Sequence, residues 1–320
     1  MDFIRIGILS TAQIGTNMVI PAMKRSSRCR VTAIASRDGE KAESAARRLG
    51  IPKHYDSYEA LLEDPDIDAI YNPLPNHLHV PLSISAMEAG IHVLCEKPLS
   101  MDAREGQMLL DATRDYPALK VMEAFMYRFQ PRWDRVRQLV LDGSIGDLKT
   151  IHSFFSYYND NPEDIRNQPG MGGGGLMDIG CYCINSARYL FGCEPGNVSG
   201  VTETEPGFGV DRLASGLLDF GTGTAVFSCT MRSPAYQYMK IFGTKGHIHL
   251  EWPFTPDLEK ESELTLVTSD QTRTESFPPA NHYTIMADRF AKSIIHDTAV
   301  PIPLEDAVAN MKVIDVIHGR

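Results

Sequence analysis

The sequence predicts an α/β protein with two domains: a doubly wound parallel sheet in residues 1–123, and an α/β domain with a large, mostly antiparallel open sheet in residues 124–320. Up to Glu123, short apolar strands alternate with amphipathic helices, an order typical of a parallel sheet covered on both faces. Beyond Glu123, apolar and polar residues alternate with period two, which is typical of an antiparallel sheet with one free face. The change of pattern therefore indicates the domain boundary.

In the first domain, short predicted strands alternate with predicted helices. The helix at 38–49 is the clearest, because Asp38 is suited to cap its N-terminus and Gly50 to end it. The predicted strands cover 3–9, 30–35, 53–55, 68–72, 91–95 and 119–123. The predicted helices cover 15–26, 38–49, 57–64, 79–89 and 102–115.

The second domain begins with a predicted helix at 129–141, which Gly143 ends. A glycine tract runs into a helix between Gly170 and Tyr189, and a final helix covers 304–317. The stretches with period two are 148–158, 198–205, 211–220, 223–231, 238–243 and 247–251.

The free face of the predicted sheet carries alternating apolar residues such as Phe220, Val226 and Phe227. Such a face usually needs cover, so we expect a homodimer or a higher homo-oligomer through this sheet. A charged residue in place of Phe220 is expected to break that assembly.

Composition excludes several classes of function. The 320 residues carry a formal net charge of −10, and no cluster of lysines and arginines offers the basic face that nucleic acid needs. No apolar run approaches the roughly 20 residues that span a membrane, so we expect a soluble enzyme. The 6 cysteines show no Cys-x-x-Cys spacing, and Met1 leads directly into a strand, which predicts reduced thiols in the cytoplasm.

The turn after the first strand is a degenerate form of a dinucleotide-binding turn. Ser10, Ala12 and Gly15 occupy the places of the three glycines in G-x-G-x-x-G, so an ordinary βα turn remains an alternative. If the turn binds a dinucleotide, the cofactor contacts are Ser10, Thr11, Ala12, Gln13 and Ile14.

The end of the second strand distinguishes the two nicotinamide cofactors. A cofactor without a 2′-phosphate is usually held there by an acidic residue, whereas this strand ends in Ser36 and Arg37. A hydroxyl and a guanidinium suit a phosphate, so we expect NADP, with NAD as the alternative. Asp38 either caps the next helix or binds a ribose hydroxyl.

Lys97 and Tyr182 are candidates for proton transfer. Lys97 follows a buried strand at its carboxyl end, where open α/β sheets bind ligands. A neighbouring ammonium favours the phenolate form of a tyrosine, which brings it closer to use as a base. Asp178 lies one helical turn before Tyr182, and its carboxylate either binds hydroxyl groups, orients Lys97 or is only a charge at a helix N-terminus. These residues predict a dehydrogenase.

Five segments carry a family resemblance. They are residues 4–15, Asn72 to His79, Glu96-Lys97-Pro98, Glu123 to Phe129, and Gly172 to Tyr182. Through them the chain resembles the Gfo/Idh/MocA oxidoreductases over essentially its whole length. Within the family it is most similar to the sugar and dihydrodiol branch, which includes NADP-dependent D-xylose 1-dehydrogenases, 1,5-anhydrofructose reductases and trans-1,2-dihydrobenzene-1,2-diol dehydrogenases. Tyr182 stands where inositol dehydrogenase-like members have a histidine.

The resemblance implies that Tyr182 is the general acid/base and Lys97 its electrostatic partner, and their position adds Asp178 to the catalytic set. It implies cofactor contacts near the nicotinamide and ribose from Pro73, Leu74, Asn76, His79 and Glu96, beside Lys97. Substrate contacts are expected from residues at the domain junction and on the polar loop before the glycines, in addition to Asp178 and Tyr182. These residues are Glu123, Tyr127, Arg128, Asn159 and Arg166.

The resulting hypothesis is NADP-dependent oxidation of an aldose such as D-xylose at C1 to the lactone, with the substrate between the two domains. NADPH-dependent reduction of a sugar ketone of the 1,5-anhydrofructose type and oxidation of a trans-dihydrodiol are the alternatives. A non-catalytic NADP-binding regulator is a further alternative, in which the set of Lys97, Tyr182 and Asp178 would be superfluous. No metal is expected, because hydride transfer needs none and no carboxylate or cysteine accompanies His77 and His79.

Overall fold

Residues 2–320 are the part of the chain that the computed structural model describes, and they form two units, each built on its own sheet. The first unit comprises the residues up to Met126 together with Asn281–Val308, and the second comprises Tyr127–Ala280 together with Ala309–Arg320. The fold class predicted from the sequence, a Rossmann-type parallel sheet followed by a large, mostly antiparallel one, is confirmed. Within residues 2–320 no helix is long and apolar enough to cross a membrane.

The first unit contains a six-stranded sheet and the helices that connect its strands. Strands β1 to β6 are Ile4–Ile8, Cys29–Ala35, Lys53–Tyr55, Ala69–Asn72, His92–Cys95 and Val121–Glu123. Helices α1 to α5 are Ile20–Arg25, Gly39–Leu49, Tyr58–Leu62, His79–Glu88 and Ala103–Ala112. A π-helical turn over Gly15–Val19 leads into α1, and a 3-10 turn over Asn76–Leu78 leads into α4.

All pairs in the first sheet are parallel, in the order β3-β2-β1-β4-β5-β6. In this order the chain reverses its direction of travel across the sheet between β1 and β4, and open α/β sheets bind ligands at the carboxyl ends of strands beside such a reversal. The predicted caps of α2 are present: Asp38 accepts a hydrogen bond from the Lys41 amide at 3.1 Å, and Gly50 is left-handed with φ +60°.

The second unit contains an eight-stranded sheet. A 3-10 turn over Met126–Phe129 precedes α6, Pro131–Leu141, and the next elements are β7, Leu148–Tyr158, and α7, Cys181–Phe191. Strands β8 to β14 are Asn197–Thr204, Asp211–Asp219, Thr224–Thr230, Arg232–Gly243, Gly246–Glu251, Ser262–Thr268 and Thr272–Phe277. A π-helical turn over Leu176–Gly180 leads into α7.

The strand order of the second sheet is β14-β13-β12-β11-β7-β10-β9-β8, and of its neighbouring pairs only β7 and β10 run parallel. One face is buried within the unit, through residues such as Ile151, Leu218 and Ile241. The opposite face carries Phe154 and Tyr238, which are paired across β7 and β11 and are only half-buried. The second sheet therefore has one covered and one open face.

Two helices follow the second sheet: α8, His282–Ile295, and α9, Leu304–His318. Helix α8 belongs to the first unit, where it packs on α1: the Thr284 hydroxyl donates to the Ala22 carbonyl at 3.0 Å, and the Ser26 hydroxyl donates to Asp288. Because the chain returns to the first unit, this division differs from a single boundary at residue 123.

Strands β13 and β14 and helix α8 have no counterpart among the predicted elements. Strand β14 reads Thr-Arg-Thr-Glu-Ser-Phe and has no apolar alternation, because it is an edge strand paired only with β13. Strand β11 begins at Arg232 rather than 238, and helix α6 begins at Pro131, since proline suits the first helical position.

Phe220 lies on the covered side of the second sheet, which corrects its assignment to the open face. Its ring stacks on Phe191 at the end of α7, with 4.1 Å between the ring centroids, and its side chain is 7% exposed. Phe227 is buried as well. Leu218, two positions earlier, faces the covered side, and Phe220 continues the alternation of β9 on that side.

Replacing Phe220 by alanine should therefore destabilise the second unit by about 3 kcal/mol, the usual cost of deleting a buried aromatic ring. Urea unfolding monitored by circular dichroism measures this loss. Leu141→Ala, at a side chain that is 69% exposed, is the matched control and should change the free energy of unfolding by less than about 0.5 kcal/mol. Equal losses in the two variants would contradict the packing of Phe220.

Candidate active site

The predicted cofactor turn follows β1 at the carboxyl edge of the first sheet. The Ala12 amide donates to the Ser10 hydroxyl at 2.9 Å, so a side chain stabilises the tight turn where the usual motif has glycine. Gly15 begins the π-helical turn beside Pro73 and Tyr71, and a Cβ atom there would lie 3.5 Å from Pro73. The turns after β1 and β4 therefore lie next to each other at the switch point of the sheet, which fits a dinucleotide cofactor.

The residues after β2 separate into two roles. Asp38 caps α2 through Lys41, and its own amide donates to the Ser36 hydroxyl at 3.2 Å, so Asp38 belongs to the helix start. Arg37 is exposed and lies beside Tyr58, where its charge opposes the rise in the pKa of Tyr58 that burial causes. An exposed guanidinium at this strand end suits a phosphate.

His79 is a brace between two loops. Its side chain is 1% exposed, with Nδ1 2.8 Å from the Pro98 carbonyl and Nε2 2.7 Å from the Leu74 carbonyl. Burial lowers the pKa of the imidazole to about 4, so the ring is neutral at pH 7 and only one of its two nitrogens donates to a carbonyl. The predicted contact between His79 and a cofactor would require one of these two contacts to break.

The loop that His79 braces begins at Asn72, which is fully buried. Its side chain donates to the His79 carbonyl and accepts from the Leu74 amide, both at 3.3 Å. Pro73 and Leu74 are buried in this loop, whereas Asn76 is half-buried at the start of the 3-10 turn. Of the predicted cofactor contacts on this loop, Asn76 therefore has the most accessible side chain.

Glu96 and Lys97 follow β5. The Glu96 carboxylate is 9% exposed and accepts a hydrogen bond from Tyr71 at 2.7 Å, and Lys97 is half-buried. The pKa of Tyr71 is raised well above its usual value, first by burial and then by the Glu96 charge. Tyr71, on β4, was not predicted from the sequence; its position at the carboxyl end of a strand beside β5 is the signal that could have found it.

Glu123 is buried in the first unit and accepts a hydrogen bond from the Leu99 amide at 2.8 Å. This bond places the predicted substrate-binding carboxylate against the loop that follows Lys97.

In the second unit, Asp178 is anchored by two partners. Its Oδ2 atom accepts a hydrogen bond from the Tyr157 hydroxyl at 2.5 Å and lies 3.1 Å from Nε of Arg166. The Asp178 charge raises the pKa of Arg166, and burial followed by the same charge raises the pKa of Tyr157. Arg166 and Asp178, both predicted site residues, are therefore brought together, while Tyr157 on β7 was missed.

Tyr182 lies in the first turn of α7, and only 4% of it is exposed. Three aromatic rings surround it, those of Phe254, Phe155 and Tyr127, with centroid distances of 5.4, 5.7 and 5.9 Å. Tyr127 is 0% exposed and donates its hydroxyl to Asn185 at 2.6 Å. The structure thus places Tyr127 in the support around Tyr182, with no accessible surface of its own for a substrate.

Phe254 is held against Tyr182 by a short strap, residues 252–255, whose backbone is bound by buried polar side chains. Arg132 donates to the Trp252 carbonyl at 2.6 Å, and Trp133 donates to the Pro253 carbonyl at 2.7 Å. The Gln237 side chain accepts from the Phe254 amide at 3.2 Å. Burial lowers the pKa of Arg132 to about 10. A buried guanidinium is costly unless it is hydrogen-bonded, and three backbone carbonyls accept from this one.

The remaining predicted substrate residues lie in two different places. The Arg128 guanidinium stacks over the ring of Tyr189, 4.2 Å from its centroid. Asn159 accepts from the Asn161 amide at 3.1 Å, and its carbonyl accepts from Arg232, so it orders the loop that carries Arg166. Within residues 2–320 no group of three or more His, Cys, Asp and Glu side chains is arranged to hold a metal ion.

Two family models match the chain. Residues 4–125 match an oxidoreductase family with an NAD-binding Rossmann fold, and residues 133–249 match the GFO/IDH/MocA C-terminal domain. The first match lies within the first unit and the second within the second unit.

Known proteins are similar along nearly the whole chain. An uncharacterised oxidoreductase of Rhizobium meliloti, ORF334, is 40% identical, covering 99% of this chain and 97% of its own length. The D-xylose 1-dehydrogenase (NADP(+)) 2 of Haloferax volcanii is 39% identical, with 98% and 95% covered. The crystal structure of KijD10, a 3-ketoreductase of Actinomadura kijaniata in complex with NADP and TDP-benzene, superposes with a TM-score of 0.92 at 29% identity, with 99% and 97% covered. The chain is therefore an enzyme of the Gfo/Idh/MocA oxidoreductase family.

Proposed function

We propose that the protein is an NADP-dependent sugar oxidoreductase that oxidises an aldose such as D-xylose at C1 to the lactone. The observation that carries the proposal is the nearly buried Tyr182 phenol, enclosed by aromatic rings, on a helix preceded by an Asp178 carboxylate that already has a cationic partner. Because Asp178 is paired with Arg166, the phenol is the better carrier for the proton. The similarity to an NADP-dependent D-xylose 1-dehydrogenase supports the choice of substrate.

We assign cofactor binding to the first unit and substrate binding to the second. The turn over Ser10 to Ile14 offers backbone amides at a helix start for a pyrophosphate, and Ser36 and Arg37 offer a hydroxyl and a guanidinium for a 2′-phosphate. Asn76, Glu96 and Lys97 follow β4 and β5 at the same edge of the sheet and would lie towards the nicotinamide. NADP in the complex of KijD10 supports this cofactor.

When bound, the nicotinamide accepts or supplies the hydride. The Tyr182 oxygen takes the proton from the substrate hydroxyl during oxidation and returns it during reduction. Lys97 donates a hydrogen bond to the reacting oxygen as negative charge develops on it, and its ammonium also favours the phenolate. Asp178, with Oδ2 bound to Tyr157 and Arg166, holds an adjacent substrate hydroxyl in place. The aromatic rings around Tyr182 exclude water from this exchange.

Reduction of a sugar ketone by NADPH is the second candidate. It uses the same residues in reverse, and the similarity to the 3-ketoreductase KijD10 favours it.

The open face of the second sheet suggests a homodimer. Phe154, Tyr236 and Tyr238 form an aromatic patch there, with ring centroids 5.9 to 6.5 Å apart, and Tyr236 is 42% exposed. A second copy of the chain would cover this patch.

We place the enzyme in the cytoplasm, since all six cysteines are free.

The function is tested by absorbance of the reduced nicotinamide across a panel of aldoses, sugar ketones and dihydrodiols with both cofactors. Tyr182→Phe should retain substrate binding and lower turnover by about 10²–10⁴, the usual contribution of one acid/base group. Lys97→Met should cost at least as much, and the double variant should be little worse than the worse single one, because the two act as a unit. Tyr189→Phe, on the same helix, is the control; full activity in Tyr182→Phe would remove the assignment.

Cofactor choice is tested by Arg37→Ala. Loss of a hydrogen bond to a charged group should weaken NADP binding by about 1.5–3 kcal/mol and leave NAD binding nearly unchanged. Isothermal titration with the two cofactors measures both. Arg48→Ala, an exposed arginine on α2, controls for the loss of one surface charge. Equal weakening of both cofactors by Arg37→Ala would show that this residue does not bind the 2′-phosphate.

The dimer is tested by Tyr238→Glu, because burying a charge in the aromatic patch would oppose association. Multi-angle light scattering should show a dimer for the wild type and a monomer for the variant. Leu141→Glu, at an exposed leucine on α6, should leave the mass unchanged. A monomeric wild type, or a dimeric Tyr238→Glu, would exclude this interface.

A further inference from the structure

Asp211, the first residue of β9, is a buried carboxylate aimed at the start of the π-helical turn that carries Asp178. Its side chain is 4% exposed, and its Oδ2 atom accepts a hydrogen bond from the Leu176 amide at 2.7 Å. Its Oδ1 atom lies 3.3 Å from Nε2 of His318, in α9. A buried carboxylate is costly unless it is bonded, so these contacts fix its position.

The glycine tract is shaped to admit this carboxylate. Gly174 has φ +118°, and a Cβ atom on it would lie 2.1 Å from Oδ1 of Asp211. A Cβ atom on Gly175 would lie 3.3 Å from Oδ2 of the same residue, which is tight. The tract therefore needs glycine at 174 for two reasons: its backbone conformation and the close approach of Asp211.

Gly174 in turn connects Asp211 to the candidate site. Its amide donates to the Arg166 carbonyl at 2.9 Å, and its own carbonyl accepts from the Asp178 amide at 3.0 Å. The Arg166 side chain then pairs with the Asp178 carboxylate. Gly174, Asp178 and Arg166 thus form a closed ring of contacts, and Asp211 sets the position of that ring from the opposite side.

The π-helical turn over Leu176–Gly180 has an unusual geometry, which the Asp211 side chain helps to hold. A π-helical turn is wider than an α-helical one, is uncommon, and occurs mostly at functional sites. At Leu176–Gly180 this turn determines the direction of the Asp178 carboxylate relative to the start of α7, where Tyr182 lies. The bond from Leu176 to Asp211 holds the first amide of that turn.

We propose that Asp211 is a positioning residue for the proposed reaction: it holds the π-helical turn over Leu176–Gly180 so that Asp178 and Tyr182 keep their working directions. The proposal rests on the proposed function for its kinetic consequence, and on the geometry of the turn for its structural one.

The first experiment compares Asp211→Ala and Asp211→Asn in the full-length enzyme. Asp211→Ala should lower kcat by about 10- to 100-fold, because small displacements of catalytic groups have effects of that size. Its KM for NADP should stay within about twofold, since the cofactor turn lies in the other unit. Asp211→Asn keeps an oxygen that can accept from the Leu176 amide and should retain kcat within about fivefold. Asp219→Ala, at the other end of β9, is the control and should match the wild type.

Two further variants keep the inference testable if Asp211→Ala does not fold. Gly174→Ala leaves the carboxylate charged but displaces it, and should reproduce the loss of kcat. The double variant Asp178→Asn with Gly174→Ala should be no slower than Asp178→Asn alone if the contact between Gly174 and Asp211 acts through Asp178, whereas multiplied losses would overturn that route. Wild-type kcat in folded Asp211→Ala or in Gly174→Ala would overturn the inference as a whole.

Hydrogen exchange of the amides in residues 174–180 tests the positioning role of Asp211 separately from the proposed function. We expect exchange at least about tenfold faster in Asp211→Ala or Gly174→Ala than in the wild type, and unchanged in Asp219→Ala. Unchanged exchange in the first two variants would overturn the role of Asp211 even in an active enzyme. A wild type inactive on every sugar tested would refute the proposed function, and the exchange rates would still decide whether Asp211 holds the turn.

Discussion

The arrangement of the candidate site residues in the second unit depends on one interaction, the pairing of the Asp178 carboxylate with Arg166 and Tyr157. A carboxylate that is mostly removed from water is stable only when charge and hydrogen bonds compensate it. Here the compensation comes from a strand, through Tyr157, and from the polar loop, through Arg166. The close approach of Gly173 to the Arg166 carbonyl, where a Cβ atom would lie 2.5 Å away, holds that loop against the glycine tract. One ion pair thus brings together three segments that are separate in the sequence.

Asp178 is held by charge and hydrogen bonds, whereas Tyr182 is held by packing against aromatic rings. Phe254 reaches the Tyr182 ring only because the strap at residues 252–255 leaves the sheet, and its backbone groups then need partners. Arg132, Trp133 and Gln237 supply them from inside the unit. Arg132 is buried and donates to three backbone carbonyls, and taking a guanidinium out of water in this way costs free energy. In return, the strap at residues 252–255 keeps the Phe254 ring against Tyr182, the proposed proton-transfer group.

The first unit achieves a dinucleotide-type turn with less glycine than the usual motif. Where the usual motif has glycine, the Ser10 hydroxyl accepts a hydrogen bond from the Ala12 amide and stabilises the turn. Gly15 is retained where the turn meets Tyr71 and Pro73. Polar bracing continues along the same edge of the sheet: His79 connects the loops after β4 and β5, and Tyr71 holds Glu96. Both units therefore hold their candidate site residues with hydrogen bonds from neighbouring side chains. Tyr71 and Tyr157 lie outside the family motifs, whereas Ser10 and His79 lie within them.

Local features could be read from the sequence alone. The alternation of strands and helices up to Glu123, the Asp38 and Gly50 caps of α2, and the positions of Lys97 and Tyr182 depend on periodicity, turn chemistry or short motifs, which the chain carries within a few residues. Only the tertiary structure decided the partners of those residues. Tyr157 and Asp178 are 21 residues apart, and Tyr71 and Glu96 are 25 apart, with no local pattern that pairs them. The side on which Phe220 lies and the place of β14 at a sheet edge were likewise decided by packing, because the free energy of these choices comes from contacts between distant segments.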